Sequence, residues 1–309
     1  MIWIPPIITA WLFAMSAICG QRTTALMDPM WANLTRLSIA SVFLAVIAGS
    51  TDGWHLQNTA LPWFALSGLV GFGLGDIGLF LAYAFIGARL TLLIGLCLAP
   101  IFALLGEWVI FGQRIHWPEF IAVLVTLLGV GIAITGKRPT NRAQPHRYGL
   151  GIALAICAGL GQGLGAVLSR LAESHASSPV GPFAQAFQRC TAGWLALLIA
   201  TLIWARIKPT AEANLKHTSW KTVWPWMLGA VLFGPVIGVS CFQWALVLVG
   251  NSGLVQAIVS TTPIALIPLA WVFDRDVPTG RSVLGSIIAV AGVAGICLWP
   301  QILERLASS

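Results

Sequence analysis

Two arginines stand inside stretches of sequence that otherwise hold almost no charge. Arg36 lies a turn or two into the apolar run Met30–Gly49, and Arg189 sits similarly in Gly181–Trp204. A guanidinium in such a place can clamp a carboxylate through paired hydrogen bonds. It can also snorkel toward the headgroups of a bilayer or join a structural salt bridge. Two acids complete the set: Asp76 in GFGLGDIGLF, and Glu107, seven residues after Pro100 and so about two turns along one helix face. A carboxylate among apolar side chains is costly when charged, which makes either acid a proton-carrier candidate. The alternatives are permanent pairing of Asp76 with an arginine and simple solvation of Glu107 near an interface.

Uncharged residues add a second layer. Gln21 and Gln162 each follow a glycine near the ends of two further apolar runs, and Gln185, Gln188, Gln243 and Gln256 lie in the second half. Any one of them is explained by a hydrogen bond between helices, and together they are candidate ligand contacts. Pro100 and Pro263 fall mid-run, where loss of an amide N–H bends a helix, as a gating hinge or as a static kink. Gly71-xxx-Gly75 and Gly234-xxx-Gly238 have the spacing that lets backbones approach, within one bundle more simply than between two chains. The five histidines, His55, His116, His146, His175 and His217, all fall in polar connections and are given no relay role. The six cysteines form no CxxC pair and no cluster with histidine, so neither a metal nor a redox cofactor is expected.

The elements that must position these residues are set by composition. Of 309 residues, 58% are hydrophobic and 9% charged, with a mean hydropathy of +0.87. A soluble domain carries about a quarter of its residues as charge; this chain needs lipid as its solvent. The apolar runs are continuous rather than alternating, so they are helices and not barrel strands. At roughly 20 residues per crossing they divide into ten: Ile2–Gly20, Met30–Gly49, Leu61–Phe85, Leu90–Phe111 and Trp117–Thr135, then Gly149–Ser169, Gly181–Trp204, Val223–Val249, Gly253–Phe273 and Ser282–Trp299. The first lacks a basic leader and reads as a span, not a cleaved signal. The pI near 9.5 reflects loop lysines and arginines that orient the chain, not a nucleic-acid surface.

A repeat underlies the ten. Pro62-Trp63 and Pro225-Trp226 are 163 positions apart, and the same offset relates Gly71 to Gly234, Gly75 to Gly238, Gly87 to Gly250, Pro100 to Pro263, Trp108 to Trp271 and Gly129 to Gly292. Residues 1–135 form a first five-helix unit and 149–300 a second. A basic loop, 136–148, joins them, and a short polar tail, 301–309, ends the chain. An odd number of crossings per unit inserts the two copies in opposite senses, the design of many secondary transporters. Trp54, Trp117, Trp220, Trp224 and Trp299 mark span ends as an interfacial belt, while Trp108 and Trp271 are expected to fill the centre.

ARLTLLIGLCLAPIFALLGEWVIFGQRI at 88–115, and its echo NSGLVQAIVSTTPIALIPLAWVFDRDVP at 251–278, resemble the EamA-like branch of the drug/metabolite transporter superfamily. GLGDIGLFLAYAFIGARL at 73–90 and FGPVIGVSCFQWALVLVGNSG at 233–253 are similar to one large branch of it, so the resemblance spans the chain. It implies a ten-helix bundle of two inverted repeats exporting or exchanging metabolites such as amino acids, in the cell membrane and, for a bacterium, the inner one. The family often has a Gly-Glu-Arg element where this chain has Gly112-Gln113-Arg114; Asp276 stands at the equivalent place in the second copy. Both termini are cytoplasmic in the family, whereas the positive-inside rule applied to this chain's loops puts them outside.

The expected function is therefore secondary transport of a small metabolite, exported in the family's manner, by alternating access around a central cavity lined by Arg36, Asp76, Glu107, Arg189, Gln21 and Gln162. Expected partners are that substrate, the bilayer and a coupling proton, with the chain acting as a monomer. No Walker-type loop is present for ATP-driven pumping. An intramembrane enzyme on a lipid-linked substrate needs clustered catalytic residues near one face, and a channel or scaffold subunit needs repeated pore-lining polar residues; the sequence has neither.

Overall fold

The computed structural model describes residues 3–51, 53–112, 116–134, 147–207, 219–250, 252–274 and 279–307. All regular structure among them is helical. The first half comprises α1 (Ile4–Leu26), α2 (Pro29–Thr51), α3 (Leu61–Gly68), a π-helical segment π1 (Leu69–Gly75), α4 (Asp76–Phe111) and α5 (Trp117–Ile134). The second comprises α6 (Tyr148–Ser174), α7 (Pro182–Ile207), α8 (Trp220–Val231), a further π-helical segment π2 (Leu232–Val236), α9 (Ile237–Val249), α10 (Ser252–Val259), α11 (Thr262–Asp274) and α12 (Gly280–Ala307). The loop charges Lys137, Arg138, Arg142, Lys208 and Lys216, and the Gln113, Arg114 and Asp276 of the family element, lie outside the described residues.

Six helical runs are each long and apolar enough to cross a membrane: Ile4–Leu26, Pro29–Thr51, Leu61–Phe111, Tyr148–Ser174, Pro182–Ile207 and Trp220–Val249. Shorter apolar helices span Phe120–Ala133, Val255–Leu269 and Gly280–Gly295. Burial runs opposite to that of a water-soluble protein. Val42, Val46, Val109, Leu128 and Ile199 face outward, while Arg36, Asp76, Glu107, Arg189, Gln185 and Gln243 are buried. Lipid is the solvent that such a surface requires, and helices satisfy their backbone groups internally within it. The chain is a multi-pass membrane protein.

The run Leu61–Phe111 would measure about 77 Å at 1.5 Å per residue, more than twice a hydrocarbon core of about 30 Å. Gly87 interrupts it, with φ 80° and ψ 163° inside α4, a conformation that costs glycine little and other residues much. The break frees the Ala88 N–H, which donates to Gln21 Oε1 at 2.5 Å. The glycine 163 positions later, Gly250, also takes a positive φ of 65° and ends α9.

Helix α6 packs on α3, π1 and α4, while α1 packs on α8, π2 and α9; α2 meets α7, and α5 meets α12. Glycines set the closest approaches. A methyl on Gly159 would fall 2.6 Å from the Gly95 carbonyl oxygen, and one on Gly161 would fall 2.5 Å from the Gly75 Cα. Between α5 and α12, a methyl on Gly129 would lie 2.3 Å from Ala289 N, and one on Gly292 would lie 2.5 Å from Thr126 N. Those four residues are two pairs at the 163 offset, so one contact is made twice with the partners exchanged.

Three details differ from the sequence reading. Helix α1 runs six residues past Gly20 to Leu26, and Arg22 in this extension donates to the Phe273 carbonyl oxygen and lies 5.5 Å from the Trp226 ring centroid. Trp108 does not fill the centre. It is 53% exposed, since the neighbouring Glu107 takes the inward position and one residue turns a helix by about 100°. The side chain of Trp271 lies outside the described set.

The matched prolines also behave differently. Pro100 sits within α4, whose only non-helical residue is Gly87. Pro263 is the second residue of α11, just after the Ser260-Thr261 break that ends α10. The two sites also differ in the preceding residues. Ser260, Thr261 and Thr262 each turn a hydroxyl back to the carbonyl three residues earlier, at 2.7, 2.6 and 2.5 Å. Their counterparts Cys97, Leu98 and Ala99 have no hydroxyl with which to do so.

Candidate functional site

Asp76 is the first residue after π1, and this placement brings its carboxylate to Arg36. In a π segment the hydrogen bonds run to i+5, which widens the helix and rotates the residues beyond it. Arg36 Nη2 donates to Asp76 Oδ2 in a buried ion pair. The arginine is held from its own helix by Asn33, whose Oδ1 accepts from Nε at 3.3 Å and from Nη2 at 3.1 Å. Its guanidinium lies 4.6 Å from the Phe80 ring centroid. A buried pair fastened on three sides loses little of its Coulomb attraction to solvent, and that attraction offsets part of the cost of desolvating both charges.

Arg189 occupies the corresponding depth on α7, with different partners. Nη1 donates to Gln243 Oε1 at 2.5 Å, and Gln243 Nε2 donates to Gln185 Oε1 at 2.9 Å. Gln185 Nε2 then donates to Glu173 Oε1 and to the Val180 carbonyl oxygen, the latter at 2.7 Å. Each amide thus turns its oxygen toward the arginine and its nitrogen toward the glutamate. Arg189 Nε is buried and has no hydrogen-bond partner among the described residues.

Both arginines border one system of cavities. The larger space, about 50 Å³, is lined by Arg36, Asp76 and Gln162 with Phe13, Leu79 and Tyr83 among its apolar walls. A smaller one of about 10 Å³ is lined by Arg189, Asp76, Gln162, Val239, Phe72 and Phe242. Phe13, Phe72, Asp76, Gln162 and Val239 border both, so the two spaces adjoin. The arginines reach the cavities past glycines of the opposite half. A methyl on Gly71 would lie 3.3 Å from Arg189 Nη2, and one on Gly234 would lie 3.0 Å from Arg36 Nη1. Arg36, Asp76, Arg189 and Gln162 are therefore brought together.

Other candidates go elsewhere. Glu107 accepts from Arg170 Nη1 at 2.5 Å and from the Ser252 hydroxyl, tying α4 to α6 and α10. Arg170 is in turn stacked 4.7 Å from the Phe111 ring centroid. Gln21 caps the helix after Gly87. Gln188 Nε2 donates to the Trp54 carbonyl oxygen at 2.9 Å, and Gln256 Nε2 to that of Gln162 at 3.2 Å. Gly75 lies against Gly161, and Gly238 against the Phe13 ring. Among the described residues no group of His, Cys, Asp and Glu could hold a metal ion.

Sequence reasoning missed Asn33, Glu173 and the aromatic walls. Asn33 is readable in retrospect, three residues before Arg36 and so on the same helix face. Glu173 lies four residues beyond Ser169, where the apolar run ends in the sequence.

A helical, lipid-facing bundle around a charged internal cavity defines a membrane protein built to hold something small and polar. The EamA-like transporter family matches residues 1–135 and again 149–298. The chain belongs to that family and is a membrane transporter of small molecules. It is 25% identical over 264 residues to a "Probable terminal-alkyne amino-acid exporter" of Streptantibioticus cattleyicolor, covering 84% of this chain and 81% of that protein. A solved crystal structure covering 96% of this chain and 97% of its own superposes with a TM-score of 0.63 at 17% identity, a likeness of fold.

Proposed function

We propose that this protein is a secondary transporter that exports an amino acid or a similar small metabolite across the cell membrane, the inner one in a bacterium. Its cargo binds in the adjoining cavities between α1, α2, π1, α4, α6, α7, π2 and α9. The observation that carries the reading is the pair of buried arginines beside those cavities. Buried guanidinium groups within a bilayer are expensive unless they serve a ligand or a pathway. The amino-acid exporter named above supports the substrate class.

Access alternates, on this reading, between two five-helix units, 1–135 and 149–300, inserted in opposite senses for ten crossings in all. Two exchanged contacts and one matched position support it. Gly71 meets Arg189 while Gly234 meets Arg36; Gly129 meets Ala289 while Gly292 meets Thr126; and π1 and π2 begin 163 positions apart, at Leu69 and Leu232. The hinge is the α10–α11 break at Pro263, with Pro100 as its rigid counterpart. Asp76 is the acid through which a proton gradient would act, since it faces the cavities, whereas Glu107 is held by Arg170 and Ser252 outside them. The unit of transport is the monomer.

The test is efflux from proteoliposomes loaded with a panel of amino acids and amphipathic drugs, with and without an imposed proton gradient. Gradient-dependent export of at least one amino acid is expected. Absence of protein-dependent flux for every compound, in both directions, would sink the proposal.

A further inference from the structure

Arg36 and Arg189 each lie seven residues after the proline that opens their helix, Pro29 of α2 and Pro182 of α7, and each passes a matched glycine, Gly234 and Gly71, of the opposite half. Their surroundings differ in several side chains, Asn33 and Phe80 about Arg36 against Gln243 and Phe72 about Arg189, and one of the differences is a charge. Arg36 has the carboxylate of Asp76; the residue 163 positions after Asp76 is Val239, an isopropyl group that borders both cavities. The acid that would complete the second pair is missing from the chain. In keeping with this, Arg189 is 3% exposed, lines the smaller cavity, and leaves Nε without an acceptor among the described residues.

Gln243 occupies Nη1 only, so the edge formed by Nε and Nη2 is the one left to a ligand. That edge is the fork by which a guanidinium takes both oxygens of a carboxylate. Gly71 and Gly165 keep space around Nη2, where methyl groups would come within 3.3 and 3.4 Å. Gln243 holds the arginine without an ion pair. The acid that lines the same cavity, Asp76, is itself bound to Arg36, so the Arg189 guanidinium retains charge for a ligand. Phe72, Phe242, Phe13 and Val239 supply an apolar wall beside the cationic edge.

We infer that the cargo carries a carboxylate that binds the free edge of Arg189, taking across the molecule the role Asp76 takes beside Arg36, with an apolar tail against Phe13, Phe72 and Phe242. That the bound carboxylate is cargo rests on the transport reading, and the site itself is testable without flux. Val239 is the determinant that keeps the position open. An aspartate there would act as a tethered ligand and occupy the arginine permanently.

The experiment measures thermal protection of the purified protein in detergent by matched probes: phenylalanine, norleucine, 3-phenylpropanoate and hexanoate, against 3-phenylpropanamide, hexanamide and phenylalaninamide. Carboxylates are expected to protect and the amides to need at least ten-fold higher concentration. Val239→Asp, checked for monodispersity, is expected to lose carboxylate protection by ten-fold or more while melting no lower than the unliganded parent. Arg189→Gln is the second variant, with the same loss expected, and the wild-type series decides alone if neither variant folds. Amides protecting as well as carboxylates, no carboxylate protecting, or folded Val239→Asp binding them unchanged would each overturn the inference. Flux of the same probes in proteoliposomes separates the two readings. Protein-dependent flux without carboxylate protection overturns the arginine site and leaves transport standing; carboxylate protection abolished in Val239→Asp, with no flux of any probe, supports the site and overturns transport.

Discussion

Asp76 and Val239 stand 163 positions apart and border the same two cavities, one as a carboxylate bound to Arg36 and the other as a hydrocarbon near Arg189. A duplicated unit would place equal chemistry at both positions. This chain keeps the framework of the duplication and departs from it where Asp76 faces the cavities.

Asp76→Asn should leave the Arg36 guanidinium buried without a counter-charge, its hydrogen bonds to Asn33 intact. Removing one member of a buried pair costs about 3–5 kcal/mol, so the variant should melt well below wild type. Arg36→Gln combined with Asp76→Asn should recover part of that loss, a coupling that a double-mutant cycle measures. Additive losses would mean the two side chains do not depend on each other.

Glu107→Gln separates the two acids. Its partners are a half-buried Arg170 and the Ser252 hydroxyl, which makes it a cross-link between helices rather than part of the cavity. The variant should lose stability yet keep gradient-driven flux, while Asp76→Asn loses the gradient dependence. Equal flux in both variants removes the proton-carrier assignment altogether.

Gln21→Ala should uncap the Ala88 N–H at the Gly87 break. A buried donor left without an acceptor costs about 1–3 kcal/mol. Faster amide exchange localised to the start of the helix after Gly87 is the expected signature, and a global fall in protection would point instead to general unfolding.

Gly129→Ala and Gly292→Ala should be equally damaging, because each forces a methyl within 2.5 Å of a backbone nitrogen on the facing helix. The cost lies at the upper end of the about 1–3 kcal/mol of overpacking. Gly131→Ala is the control, since nothing lies within 4 Å of its added methyl. Melting temperatures of the three variants decide it: a tolerated Gly129→Ala would refute the close contact of α5 with α12.

The helices were legible in the sequence because lipid demands long apolar runs and the runs are cut by glycine, proline and charge. Arg36, Asp76 and Arg189 were legible for the same reason, as charges where none should stand. The features that escaped the sequence depend on tertiary partners. The first span looks finished at Gly20, yet α1 continues past Arg22, which meets the Phe273 carbonyl and the Trp226 ring. Trp108 looks central until Glu107 takes the inward direction. Pro100 and Pro263 look alike until the hydroxyls of Ser260, Thr261 and Thr262 compete for backbone carbonyls on one side only. The π segments leave no trace in composition, because the extra residue in a turn is a property of spacing rather than of side-chain type.

Those two segments, Leu69–Gly75 and Leu232–Val236, amount to an indel written into the helical lattice. One residue more or less in a helix swings everything beyond it by about 100°. Deleting a single residue from Leu69–Gly75 would swivel Asp76 away from Arg36 without altering any side chain. Reading frame, in three dimensions, is as heritable here as residue identity, and a relative carrying the same acid one position displaced would not possess the same cavity.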